Sequence, residues 1–182
     1  MERRLVEQAM HGDEEAFDRL VELVGDGLHS TARRILRDTN LAQDATQQAL
    51  LDAWRNLPRL RDPDRFEAWI YRLLVHACYA EARREKRQRT NLVLLSGEEP
   101  ADPDHGNRLA LHDQLDQAFR QLSIEHRTVV VLVHYLGLTP TEAAERMGTP
   151  AGTARSRLHY ALQQLRASLE ADAEPMSRRG SA

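Results

Sequence analysis

The chain has 182 residues, a single cysteine and a formal net charge of −3. This length suits one ordinary domain or two small ones, and the lone Cys78 excludes an intrachain disulfide and favours a reducing, cytoplasmic setting. Without a charged-then-apolar leader or an apolar run of about 18 residues, we expect neither secretion nor membrane insertion.

Charge is unevenly distributed along the chain. Eight acidic residues against three arginines give −5 between Met1 and Asp26, whereas seven basic residues against three acidic ones give +4 between Arg65 and Arg89. A nucleic-acid binder needs clustered Lys and Arg rather than a positive total, so the basic stretch keeps that class open.

Apolar residues recur every three or four positions through the first half, which predicts helices. One stripe follows the acidic residues 13–15 and a second follows Gly25 and Gly27, so we expect two helices separated by those glycines. A third helix should end at Pro58. A fourth keeps one apolar face from Phe66 to Cys78 and then becomes basic, and Cys78 lies on the face predicted to be buried.

Residues 96–107 combine Gly, Pro and acidic residues without periodicity, which predicts a flexible acidic linker. The predicted parts are therefore a first domain at 1–95, a second at 108–170 and a disordered tail at 171–182. The run 129–133 is mostly β-branched, but its length and neighbours favour a buried helix that stops at Gly137. The predicted fold class is all-α, with two small helical domains.

The dipeptide Thr-Pro occurs at 139 and again at 149. Thr139 suits an N-cap, Pro140 the first helical position, and Glu142 completes a capping box; Thr149 and Pro150 repeat the first two devices. With Gly148 as the break, this spacing predicts a helix-turn-helix. Its second helix would present to a DNA major groove three polar residues, Arg155, Ser156 and His159, although a solvated basic face is the alternative.

Four motifs carry a family resemblance: GDEEAFDRL at 12–20, AQDATQQALLDAWRNLPRL at 42–60, RFEAWIYRLL at 65–74 and LTPTEAAERMGTPAGTARSRLHYALQQLR at 138–166. In this order the chain resembles a bacterial RNA polymerase sigma factor of the sigma-70 family, extracytoplasmic-function (ECF) type. The resemblance implies a sigma-two-like bundle and a sigma-four-like helix-turn-helix domain. It also implies promoter-specific transcription initiation with the polymerase core, restrained by an anti-sigma factor.

The resemblance further implies three sets of site residues. Core polymerase would contact Asp44, Gln47, Gln48 and Asp52. The minus-10 element would be captured by Asn56, Arg61, Arg65, Arg72, His76, Arg83, Arg84 and Arg87. The minus-35 element would be contacted by Thr139, Thr149, Pro150, Ala151, Gly152, Thr153, Arg155, Ser156, Arg157 and His159. Phe66 and Trp69 would either stack on DNA bases or, as their place on the apolar stripe favours, pack in the core.

Two other classes of protein fit the sequence less well. A response-regulator-like transcription factor has a similar helix-turn-helix, but its receiver domain of alternating strands and helices has no counterpart in residues 1–95. A metal-dependent hydrolase is disfavoured because the eight histidines are scattered and lack a His-Glu-x-x-His pattern. We therefore expect no enzyme activity, no cofactor, no bound metal and no small-molecule substrate.

Overall fold

The protein is described by a computed structural model that gives the backbone of residues 3–96 and 110–177. These residues contain no strand, which confirms the all-α prediction for the part of the chain described. The α-helices are α1 (Arg3–Met10), α2 (Glu14–Leu36), α3 (Thr39–Asn56), α4 (Phe66–Ser96), α5 (Ala110–Gln121), α6 (Ile124–Val130), α7 (Pro140–Met147) and α8 (Ala151–Ser177).

The predicted linker lies, apart from Ser96, outside the described residues. Helix α8 continues to Ser177, so the first seven residues of the segment predicted as a disordered tail are helical, and 178–182 lie outside the description.

Helices α1 to α4 form the first domain, in which α3 packs against both α2 and α4. Its core is built from the apolar stripes of these helices, with Leu20, Leu28, Ile35, Ile70 and Leu74 fully or almost fully buried. Asp13 and Asp38 begin α2 and α3 by accepting backbone N–H bonds from the first turn of each helix. Acidic residues at these positions are favoured because the helix dipole is positive there.

The prediction of two helices separated by Gly25 and Gly27 was wrong, because α2 runs unbroken from Glu14 to Leu36. Glycine costs about 1 kcal/mol in a helix interior, and burying one continuous stripe through Leu20, Val24 and Leu28 outweighs that cost. Gly27 also has a packing reason: a Cβ built there would lie 3.0 Å from the hydroxyl oxygen of Tyr71 on α4.

Helices α5 to α8 form the second domain, which contains the predicted helix-turn-helix. The Thr139 side chain accepts a bond from the Glu142 N–H (3.2 Å), and Glu142 accepts one from the Thr139 N–H (2.8 Å), so the predicted capping box is present. Gly148 ends α7 in the left-handed conformation with φ of 63°. The two helices therefore meet at a turn that glycine adopts without strain.

Helix α8 begins one residue later than a Thr149 cap would place it. The Pro150 carbonyl accepts the bond from the Ala154 N–H (3.2 Å), so Pro150 occupies the cap position in place of the first helical position. The second Thr-Pro pair has Gly152 where the first has Glu142, and without that carboxylate a capping box cannot form.

The β-branched run 129–133 is helical, as predicted, but contains a π-helical turn at Val131–Tyr135 before Gly137 ends the segment with φ of 69°. The run touches three apolar clusters. Val129 and Leu132 pack with α7 and α8, Val130 packs with α5, and Val131 belongs to the core of the first domain.

The two domains are packed against each other, which the sequence analysis did not predict. Val75 of α4 is fully buried in a cluster with Val129, Leu132, Ala143 and Ala144 of the second domain. Helix α4 therefore contributes to the core of its own domain on one side and to a shared apolar interface on another.

Polar contacts accompany this interface. The half-buried Arg127 guanidinium donates to the Ile35 carbonyl at the end of α2 (2.8 Å) and to carbonyls of Phe119, Arg120 and Leu122. Burial, with a smaller effect from two neighbouring arginines, lowers the pKa of Arg127 to about 10. Because the last carbonyls of α2 carry the negative end of its dipole, a cation from the second domain caps a helix of the first.

Replacing Thr139 with alanine is expected to lower the free energy of unfolding by about 1 kcal/mol, because the substitution removes the side-chain half of the capping box. Urea denaturation of the full chain at neutral pH measures the change. The Thr139→Ser variant keeps a hydroxyl and serves as the control. Equal stability of the alanine and wild-type chains would show that the cap contributes nothing.

Candidate nucleic-acid and polymerase-binding surfaces

The four residues predicted to bind core polymerase lie on α3. Asp44, Gln47 and Gln48 are exposed, and the Gln48 side-chain amide donates to the half-buried Asp52 carboxylate (3.0 Å). Ala45, Ala49 and Ala53 are buried on the opposite face. The helix therefore presents a polar surface on a backbone held close to α2 and α4 by small residues.

This surface also carries an apolar residue, Leu51, that was not predicted from the sequence. Leu51 follows Gln47 and Gln48 by four and three residues, which places all three side chains on one helix face, and Leu51 is 44% exposed. Trp54, one turn later, is 38% exposed and packs its ring against Phe17 at 4.9 Å between centroids. The sequence does contain a signal for this exposure, because Leu51 lies off the buried stripe formed by Ala45, Ala49 and Ala53.

An open groove between α3 and α4 brings the first two predicted sets of residues together. The groove has a volume of about 570 Å³ and is lined by Gln48, Asp52, Arg72, Leu73, His76, Ala77, Ala80 and Glu81. Two predicted polymerase contacts thus lie beside two predicted minus-10 contacts. The two predicted surfaces are therefore adjacent.

The predicted minus-10 residues occupy four kinds of position. Asn56 is partly buried and donates to the Asp52 carbonyl (2.8 Å), so its side-chain amide terminates α3. Arg61 is exposed between two short 3₁₀ turns, Leu57–Arg59 and Pro63–Arg65. Arg83, Arg84 and Arg87 are exposed along the basic part of α4, where their guanidinium groups are accessible to a phosphate.

The remaining three, Arg65, Arg72 and His76, lie next to the second domain. Arg65 forms an ion pair with Glu145 of α7 (2.8 Å). A Cβ built on Gly148 would lie 3.3 Å from Nε2 of His76 and 3.8 Å from Nη2 of Arg72. Burial lowers the pKa of His76, and the charges of Arg72 and Arg83 add to this effect. His76 is thus favoured as a neutral ring at neutral pH.

The aromatic residues at the start of α4 pack against the core of the first domain. Phe66 is only 1% exposed and belongs to the first-domain core, which excludes stacking on a DNA base in this conformation. Trp69 is partly buried and packs against the same core, with its ring 6.0 Å from that of Phe66. Core packing, the alternative that the apolar stripe favours, is the role observed for both.

Six of the ten predicted minus-35 residues are exposed, four of them on α8. Arg155, Ser156 and His159 are exposed, while Ala154 and Ala161 are fully buried and fix the orientation of the helix. Of the remaining predicted contacts, Thr139, Pro150 and Gly152 are exposed and Thr149, Ala151 and Thr153 are partly buried. Exposure near the start of the second helix is what DNA contact by a helix-turn-helix requires, and the contact itself stays a prediction.

Two residues of α8 differ from the predicted arrangement. Arg157 is partly buried, unlike its neighbours Arg155 and Ser156. Tyr160, which the sequence analysis did not assign, is 59% exposed, and its ring meets that of His159 edge-on at 5.8 Å. An exposed aromatic beside three polar residues extends the candidate DNA-facing surface.

Cys78 is buried in the first-domain core, and burial raises the pKa of its thiol to about 12, so it stays protonated at neutral pH. Within residues 3–96 and 110–177, no three His, Cys, Asp or Glu side chains are grouped as metal ligands. In the same ranges, none of the helices has the length and apolar character to cross a bilayer.

Each of the two domains matches a known protein-family model. Residues 20–88 match the family model described as Sigma-70 region 2, and residues 112–165 match that described as Sigma-70, region 4. The RNA polymerase sigma-H factor of Pseudomonas aeruginosa is 29% identical, with 93% of this chain and 94% of that protein covered. The ECF RNA polymerase sigma factor SigL of Mycobacterium tuberculosis is 32% identical, with 76% and 80% covered.

A solved structure is similar across both domains. The sigma factor RpoE of Bartonella quintana, in complex with the anti-sigma factor NepR, is 25% identical, with a TM-score of 0.66 and coverage of 86% of this chain and 98% of that one. The matched models cover most of the chain, in the order that the motifs predict. The chain therefore belongs to the sigma-70 family of RNA polymerase sigma factors and is of the ECF type.

Proposed function

We propose that this sigma factor binds RNA polymerase core through the exposed face of α3 and holds promoter DNA at two places. The observation that carries the proposal is that one chain has an exposed helix-turn-helix surface and a basic α4 on separate sigma-type domains. Two weak DNA contacts joined in one chain raise each other's effective concentration, so neither domain needs high affinity alone.

In this proposal the start of α8 enters the major groove at the minus-35 element, with Arg155, Ser156 and His159 against bases or phosphates. The 3₁₀ turns before α4, with Arg61 and Arg65, and the groove beside Arg72 and His76 take the minus-10 strand after the duplex opens. Arg83, Arg84 and Arg87 hold phosphates upstream. These roles use binding and positioning alone, and we propose no catalysis by this chain.

The proposed regulator is an anti-sigma protein. RpoE of Bartonella quintana, which is similar to this chain over both domains, was solved with its anti-sigma factor NepR. A protein that covers α3 or the groove between α3 and α4 would block polymerase and DNA together, because Gln48, Asp52, Arg72 and His76 share that groove. The proposed site of action is the cytoplasm, where the polymerase is.

A regulator with only the helix-turn-helix module, of the response-regulator output type, is the other candidate. The match of residues 20–88 to Sigma-70 region 2 disfavours it, because such a regulator has no need for this domain.

The purified full chain is expected to associate with core polymerase and to give run-off transcripts from a subset of genomic promoter fragments. Size-exclusion chromatography measures the association, and core polymerase without the chain serves as the control. A chain that neither binds core nor yields a promoter-dependent transcript would exclude the proposed function.

Replacing Leu51 with aspartate is expected to weaken core binding by more than about tenfold, because buried apolar residues at an interface centre contribute on the order of 2 kcal/mol. Fluorescence anisotropy of labelled chain titrated with core polymerase measures the change. Leu23→Asp is the matched control, since Leu23 is also an exposed leucine, 66% exposed, but lies on α2. Equal losses in the two variants would contradict an anchoring role for Leu51.

Replacing Arg155 with alanine is expected to weaken binding of the assembled polymerase to duplex DNA carrying the minus-35 element by about 1–3 kcal/mol, as for a lost bidentate base contact. Core association should not change. Arg166→Ala is the charge-matched control, because Arg166 is exposed about three turns further along α8. Loss of core binding in the Arg155 variant would show that this residue has a different role.

A further inference from the structure

We propose that helix α1 supports the minus-10 site: Arg3 is a positioning residue that holds Asp64 and, through it, the loop 57–65 that carries Arg61 and Arg65. The inference rests on the proposed function, because it concerns how the proposed strand-binding loop is held in place. It is carried by contacts between α1 and this loop, all of them within the first domain.

The first turn of α1 carries charge that a helix terminus disfavours. It contains Arg3 and Arg4 and no acidic residue. The first backbone N–H groups of a helix carry partial positive charge, so acidic side chains are favoured there and arginine is not. Helix α2, by contrast, begins with Glu14 and Glu15. A local rule that is broken in this way points to a compensating contact elsewhere in the structure, and for Arg3 that contact is with loop 57–65.

The Arg3 guanidinium bonds two carboxylates at once. Its Nε donates to Glu7, one turn later on α1 (2.8 Å), and its Nη1 donates to Asp64 in loop 57–65. The guanidinium is a rigid planar fork, so the bond to Glu7 restricts the directions in which the remaining donors can point. Arg3 and Glu7 therefore act together on a residue that lies 61 positions from Arg3 in the chain.

The pair between Arg3 and Asp64 affects charge and orientation more than stability. The two side chains are 57% and 61% exposed, and ion pairs this exposed contribute little to the free energy of unfolding. Asp64 is, however, the neighbour of Arg65 in the chain. A carboxylate without a partner at this position would repel a DNA phosphate, and pairing with Arg3 offsets that repulsion.

Apolar packing joins α1 to the same loop. Val6 and Ala9 of α1 are almost fully buried in the first-domain core, which also contains Leu57. Leu60, in the middle of the loop, is partly buried and packs against that core. Helix α1 contacts both 3₁₀ turns of the loop. Burial thus fixes the first turn, and Arg3 contacts the second.

The second 3₁₀ turn is shaped by local bonds. The Asp62 side chain accepts a bond from the Asp64 N–H (3.1 Å), and the Asp62 carbonyl accepts one from the Arg65 N–H (3.1 Å). None of the three residues of this turn is buried. Both bonds lie within the turn, so they set its shape without setting its place on the domain. The bond from Arg3 connects the turn to another helix and so sets its place.

A charge swap separates this role from a general effect of charge. The variants of the full chain are Arg3→Glu, Asp64→Arg and the charge-swap variant that combines them. Arg3→Glu places like charges together, and the charge swap restores opposite charges in the reverse order. Arg4→Glu is the matched control, since Arg4 is also exposed in the first turn of α1. All these positions are exposed, so we expect melting temperatures and core association close to those of the wild type.

The first readout needs no DNA. Hydrogen exchange of the peptide 57–65 in the free chain, measured by mass spectrometry, reports on the bonded amides of Leu60, Asp64 and Arg65. Arg3→Glu should speed this exchange about two- to fivefold, as for the loss of an exposed ion pair. The charge-swap variant should recover most of the protection, and Arg4→Glu should not speed the exchange.

The second readout is the affinity of the assembled polymerase for single-stranded DNA. The probe is a fluorescein-labelled strand of random sequence about 20 nucleotides long, and core polymerase alone gives the background. Polymerase with Arg3→Glu should bind about two to five times more weakly than polymerase with Arg4→Glu. The charge-swap variant should bind more tightly than the product of its two single effects predicts, which a general effect of charge does not produce.

Unchanged hydrogen exchange in the Arg3→Glu chain, or equal losses of affinity in Arg3→Glu and Arg4→Glu, would overturn the proposal. So would single effects that simply multiply in the charge-swap variant, because Arg3 and Asp64 would then not act on each other. If hydrogen exchange changes as expected but wild-type polymerase binds the strand no better than core alone, the proposed function is contradicted while the support of the loop by Arg3 stands. The two hypotheses therefore fail in different experiments.

Discussion

Burial of two different faces of α4 is the constraint on which the rest of the structure depends. Leu74 and Val75 are consecutive and both fully buried, yet Leu74 packs in the first-domain core and Val75 packs with the second domain. Neighbouring residues of a helix point about 100° apart, and here the two directions meet different domains. The second domain is needed to complete the burial of a helix that begins in the first.

This arrangement explains where the polar candidates lie. Residues of α4 that fall between its two buried faces, among them Arg72 and His76, line the edge of the groove shared with α3. Beyond Ala82 the helix leaves both cores, and its arginines become exposed. One helix thus changes along its length from a core element to a groove wall and then to a basic arm.

Features set by neighbouring residues could be predicted from the sequence. The capping box at Thr139, the left-handed Gly148 and the polar face of α3 all follow from spacing and residue type within a turn or two. The predicted break at Gly25 and Gly27 failed because burial along the whole of α2 outweighs a local preference. The contact between the domains could not be predicted, because no local pattern says what will cover Val75. The sequence shows only that Val75 and Tyr79, one turn apart, form a second apolar face on α4, without showing which part of the chain covers it.

Gly148 combines two requirements that are usually separate. Its positive φ favours a residue without a Cβ at the turn of the helix-turn-helix. Its closeness to His76 also limits the size of the side chain that this position can carry. Asparagine tolerates such a φ, but its side chain would press on the His76 ring, 3.3 Å from the position of a Cβ. A single position therefore couples the shape of the DNA-reading motif to the distance between the domains, and selection on either property acts on both.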